Sequence, residues 1–155
     1  MMKELVGKTI KEIYVNEDQS LLKFVTDQVE LIYETEGDCC SETWFADIIF
    51  NWKFFTTPVT DVTELDVPDW LDRLINKDGR TRQEFDQLYG YNIKANIVGG
   101  NAYYGNNGTS CDIIFRNSSN GYYGGSCDLM NQTSKWGQEK LEKAEWTQIT
   151  EDWQA

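Results

Sequence analysis

Histidine is missing from this chain altogether, and proline occurs only twice in its 155 residues. Without imidazole there is no Ser-His-Asp or Cys-His catalysis, no His-ligated zinc and no side chain whose unperturbed charge changes near neutral pH. Basic residues are also scarce: 14 Lys and Arg stand against 26 Asp and Glu, a net charge of −12. Contacts to a nucleic-acid backbone depend on Lys and Arg, so direct nucleic-acid binding is disfavoured. No apolar run approaches the roughly 18 residues a membrane-spanning helix needs. The opening stretch Met1-Met2-Lys3-Glu4-Leu5-Val6-Gly7-Lys8 also lacks the apolar centre of a signal peptide. A cytoplasmic location without membrane partners is the expectation. The four cysteines are then thiols by default, and the adjacent Cys39 and Cys40 with the distant Cys111 and Cys127 lack the paired C-x-x-C spacing of a zinc site. Neither a metal nor another cofactor is expected.

What is present belongs to a folded chain: 40% hydrophobic residues and 14% aromatic ones, unlike an acidic disordered tail. The length favours one domain with one core. Thr9 to Val15, Ser20 to Thr26 and Gln28 to Thr35 read as three strands of an antiparallel meander, with the first turn at Asn16-Glu17-Asp18-Gln19. In the third, Val29, Leu31 and Tyr33 alternate with Glu30, Ile32 and Glu34, which predicts one buried face. Trp44, Phe45, Ile48 and Ile49 fall on one helical face, so a short helix is expected to start near Ser41. The segment from Pro58 to Val67 reads as a loop or irregular strand. Helical pieces are expected after Pro68 and over Arg82 to Leu88, then a strand through Val98.

Ser110 to Arg116 alternates as a strand, and Asn117-Ser118-Ser119-Asn120-Gly121 reads as a five-residue hairpin loop returning at Tyr122. That register sets Cys111 opposite Cys127. The tail is expected to hold a helix around Gln138 to Ala144, then a segment carrying Trp146, Ile149 and Trp153 that packs on the sheet. The fold class is therefore α+β, a mostly antiparallel sheet with short helices in a single domain over residues 1–133. Residues 134–155 form a C-terminal extension packed on or beside it.

Glu36-Gly37-Asp38-Cys39-Cys40-Ser41-Glu42-Thr43-Trp44-Phe45 and Arg116-Asn117-Ser118-Ser119-Asn120-Gly121-Tyr122-Tyr123-Gly124-Gly125 resemble the two signature segments of an uncharacterised domain family of phages and prophages. Tyr89-Gly90-Tyr91-Asn92-Ile93-Lys94 is similar to that family as well, and the resemblance covers approximately residues 5 to 130. It implies a phage-type accessory protein and carries no established activity.

Chemistry in these segments has bland competitors. Cys40 near a helix start can be a reactive thiolate, yet without a histidine base, packing under Trp44 is favoured. Asp38 with Glu36 or Glu42 can pair as acid and base in a carboxylate-dependent hydrolase, but neighbouring carboxylates on an acidic chain usually form a solvated face. No catalytic residue is assigned. Residues 12 to 47 carry ten acids against Lys23 alone. Carboxylates spread over such a surface can imitate nucleic-acid phosphates and occupy a basic groove. With the phage resemblance, the leading expectation is a non-enzymatic, anti-CRISPR-like counter-defence inhibitor. Its acidic face, Glu30, Glu34, Glu36, Asp38, Glu42 and Asp47, binds a basic surface of a host defence protein or nuclease. The alternative is a sponge for a small nucleotide signal, held by Arg116, Asn117, Ser119, Asn120, Tyr122 and Tyr123.

Overall fold

The structure, a computed structural model, describes residues 2–36, 42–50, 52–65, 94–100, 110–117 and 126–154. Among the described residues, ten strands build two five-stranded sheets. They are β1 (Ile10–Asn16), β2 (Leu21–Thr26), β3 (Glu30–Glu36), β4 (Thr43–Phe50), β5 (Val59–Leu65), β6 (Lys94–Gly100), β7 (Ser110–Asn117), β8 (Ser126–Leu129), β9 (Trp146–Ile149) and β10 (Trp153–Gln154). The first sheet runs β8-β3-β2-β1-β9 and the second β10-β4-β7-β6-β5, with every pairing antiparallel. One α-helix, α1 (Lys135–Lys143), and two 3-10 turns complete the described residues. Mostly antiparallel sheet is thus the observed architecture, with a small helical share. Among the described residues no helix is long and apolar enough to cross a membrane.

The expected meander is present. Local turn chemistry closes its hairpins: Asn16 Oδ1 accepts from the Leu21 N–H at 2.9 Å, and Thr26 Oγ1 accepts from the Val29 N–H at 3.0 Å. Inner-face residues of both sheets share one core, including Ile13, Phe24 and Tyr33 from the first and Phe45, Ile48, Val62 and Ile113 from the second. Phe24 and Tyr33 meet edge to face with centroids 5.8 Å apart. Each such side chain contributes about 1.5–3 kcal/mol by leaving water.

Three expectations are corrected. Residues 43–50 form strand β4 rather than a helix. The strand is buried along almost its whole length, and a bulge between Phe45 and Asp47 shifts the alternation, so its apolar spacing imitates a helical face. The third strand is covered on both faces: Tyr33 enters the main core, while Ile32, 5% exposed, packs with Leu21 and Met130 beneath Leu141 of α1, and Val29 is exposed. Finally, β7 and β8 are not a hairpin. β7 lies between β4 and β6, whereas β8 pairs with β3 in the other sheet, so Cys111 faces Phe50 and Val98 and Cys127 faces Thr35. Both cysteines are buried thiols of the shared core. Within the segment expected to be a loop or irregular strand, Val59–Leu65 forms β5, irregular through a bulge between Val59 and Asp61. The helices expected after Pro68 and over Arg82 to Leu88 lie outside the described residues, as do Cys39 and Cys40.

The tail builds both sheets. Ser134 caps α1 by accepting the Gly137 N–H at 3.0 Å, β9 then extends the first sheet beside β1, and β10 extends the second beside β4. Trp146 packs over the outer cluster and Trp153 against the main core.

Candidate functional site

One corner of the molecule holds the described ends of the two segments singled out in the sequence. β3 runs out of the first sheet and β4 enters the second, while β7 and β8 make the same passage in the opposite direction. Of their described pairs, Thr35 faces Cys127 and Glu36 faces Ser126 in the first sheet, and Thr43 faces Asn117 and Trp44 faces Arg116 in the second.

The β1–β2 turn packs into this corner. Gln19 adopts a positive φ of 63°, and Asp18 Oδ1 accepts from Asn16 Nδ2 at 2.9 Å and from the Ser20 N–H at 3.1 Å. Burial, the largest influence on the Asp18 carboxyl, works to raise its pKa. Donation by the Ser20 hydroxyl and N–H, the charge of Lys140 and the Asn16 amide outweigh it and hold the carboxyl below its usual range. Asp18 is therefore a fixed anion at neutral pH. Two backbone hydrogen bonds tie the turn to both sheets, Thr35 N–H to Ser20 O at 3.0 Å and Phe45 N–H to Gln19 O at 2.9 Å.

Between the turn and the strand ends lies an open cleft of about 550 Å³. Among the described residues its lining comes from Asp18, Gln19 and Ser20 of the turn, Thr35 of β3, and Glu42, Thr43 and Trp44 leading into β4. Carboxylates, hydroxyls and one half-buried indole are its chemistry.

The acids divide by burial. Glu30, Glu34 and Glu36 alternate along β3 with the inward Leu31, Tyr33 and Thr35, so all three share the outer face of the first sheet. Glu30 lies in a row with Val25 and Glu12. Glu34 lies opposite Asp128 of β8, and its carboxylate is 3.5 Å from Lys140 Nζ of α1. The Glu36 carboxyl is raised above its ordinary value, first by a hydrogen bond with Asp128, then by desolvation and the negative charges of Asp128 and Glu34. Two acidic ends thus flank a middle strip in which Lys23 Nζ stands 4.7 Å from the Tyr14 ring centroid and 4.4 Å from that of Trp146.

Glu42 is exposed on the cleft, but Asp47 is 2% exposed inside β4 and takes no part in an outer face. The correction follows from β4 being a buried strand rather than an amphipathic helix. Asp38 lies outside the described residues. Of the nucleotide-site residues, Arg116 and Asn117 stand on β7 opposite Trp44 and Thr43, and Ser119, Asn120, Tyr122 and Tyr123 lie outside the described residues. Sequence reasoning missed Asp128, Asp18 and Thr35, because only the β3–β8 pairing and the folded turn bring them to this corner. Among the described residues no group of three or more His, Cys, Asp or Glu side chains is placed to hold a metal ion.

A family model described as a domain of unknown function (DUF7448) matches residues 3–129. The chain belongs to that family. No curated protein and no solved structure matches it. The DUF7448 match contains the whole corner, both cleft-forming strand ends included, and stops at Leu129, the last residue of β8. Helix α1 and the edge strands β9 and β10 follow it.

Proposed function

We propose that this DUF7448 protein is a non-enzymatic phage counter-defence protein, a single α+β domain acting in the cytoplasm of a bacterial host. Its acidic outer face binds a basic, nucleic-acid-binding surface of a host defence protein. The observation that carries this reading is the crowding of Glu34, Glu36 and Asp128 at one end of the first sheet, where the Glu36 carboxyl is raised first by its hydrogen bond with Asp128, then by desolvation and the negative charges of Asp128 and Glu34. A basic partner relieves that repulsion, so part of the cost of assembling the acids is returned on binding. The net charge of −12 supports attraction at longer range.

Affinity capture from bacterial lysate tests it, using the wild-type chain and the variant Glu30→Lys/Glu36→Lys/Asp128→Lys. All three positions are exposed, so the variant should fold. The expected result is a captured nucleic-acid-binding protein that duplex DNA displaces and the variant fails to retain. A partner held equally by both chains and indifferent to DNA contradicts the proposal.

A second reading, a sponge for a small nucleotide, draws on the placement of Arg116 and Asn117 beside the cleft. It expects nucleotide uptake by calorimetry that Arg116→Ala reduces, and a flat response across a nucleotide panel removes it.

A further inference from the structure

We infer that the corner cleft is an anchor pocket for an arginine side chain of the protein partner. This deepens the acidic-face reading and rests on it. Thr35 on the cleft wall points to the opposite side of β3 from Glu34 and Glu36, and the cleft is linked to that face through Lys140, which stands 3.5 Å from Glu34 and whose charge acts on Asp18. Its described lining offers an indole surface from Trp44, the carboxylates of Asp18 and Glu42, and the hydroxyls of Ser20, Thr35 and Thr43.

Guanidinium matches that set better than ammonium does. It is flat, so it stacks on an indole, and its forked N–H groups reach two acceptors at once. Asp18 is held ready for it: among the described residues its hydrogen bonds converge on Oδ1, leaving Oδ2 outside the turn network. The volume of about 550 Å³ admits a long side chain together with the main chain that carries it. Arginines seated in pockets beside a polar rim are frequent binding hot spots.

The test needs no partner. The full chain, labelled with nitrogen-15, is titrated separately with N-acetyl-arginine amide, N-acetyl-lysine amide and adenosine monophosphate. The Trp44 indole N–H signal, assigned among the six tryptophans by Trp44→Phe, is the readout. The arginine probe should move that signal saturably and the lysine probe much less. Glu42→Gln and Asp18→Asn should each weaken the arginine response about tenfold, the loss of one charge-assisted hydrogen bond. Glu42 is exposed, so its variant keeps the test valid if Asp18→Asn disturbs the fold. A Trp44 signal that ignores the arginine probe, or answers it equally in Glu42→Gln, overturns the inference. So does a shift produced by adenosine monophosphate alone, which assigns the cleft to a nucleotide. A silent cleft leaves the acidic face to be judged by its own charge reversals, and insensitivity to those reversals leaves this titration unaffected.

Discussion

Glu36 carries the clearest signature of charge crowding, and its consequence for stability has a definite sign. Its folded pKa lies above the ordinary 4.5, chiefly through the hydrogen bond with Asp128. Folding therefore favours the protonated form of Glu36. The contribution of this group to stability is therefore fully present below about pH 4.5 and is lost as the pH rises through the raised folded value. Glu36→Gln keeps a hydrogen-bonding group and removes the repulsion. Chemical denaturation should show the variant more stable at pH 7, by under about 0.5 kcal/mol because the site is exposed, and the gain should vanish below pH 4.5. A loss of stability at pH 7 would mean that the two carboxyls attract rather than crowd. Tyr33 shows the opposite environment. Burial, followed by its hydrogen bond to Glu4 at 3.0 Å, raises its phenol pKa, so it stays a neutral donor throughout the working pH range. Tyr33→Phe should cost about 1 kcal/mol in thermal or denaturant unfolding.

Among the elements, α1 depends on a glycine where helix propensity alone would choose alanine. Gly137 lies in the first turn, its N–H capped by Ser134, and a Cβ there would run into the Asn131 carbonyl oxygen. Gly137→Ala should lower the unfolding free energy by about 1–3 kcal/mol through overpacking, although alanine is the better helix former. A stabilised variant would show that the approach of Asn131 relaxes freely. Local signals made β1, β2, β3 and the tail helix legible in the sequence, because each hairpin or cap is closed by residues a few positions apart. The same local logic misread β4, whose two-sided burial and bulge leave no period-two pattern, and joined β7 to β8 as a hairpin although their described residues pair in different sheets. The candidate site was half legible for the same reason. Glu34 and Glu36 show their shared face within β3, whereas Asp128 reaches them only through a pairing across most of the chain.

At the scale of the whole molecule, the two sheets form one unit that the C-terminal residues complete. Removing residues 134–155 takes away β9 and β10 and uncovers the edges of β1 and β4, together with the Leu21, Ile32 and Met130 cluster under α1. Such a truncation should unfold at lower denaturant concentration and associate through its open strand edges, as sedimentation would show. The central claim, that acids on the outer face of the first sheet bind a basic surface, is tested most directly by the salt dependence of affinity for the captured partner. Wild-type protein and Glu30→Lys/Glu36→Lys/Asp128→Lys are titrated into that partner by calorimetry at a series of salt concentrations. The account predicts wild-type affinity that falls steadily as salt rises, and a variant that binds more weakly with a shallower slope. Equal affinities with parallel slopes would contradict it.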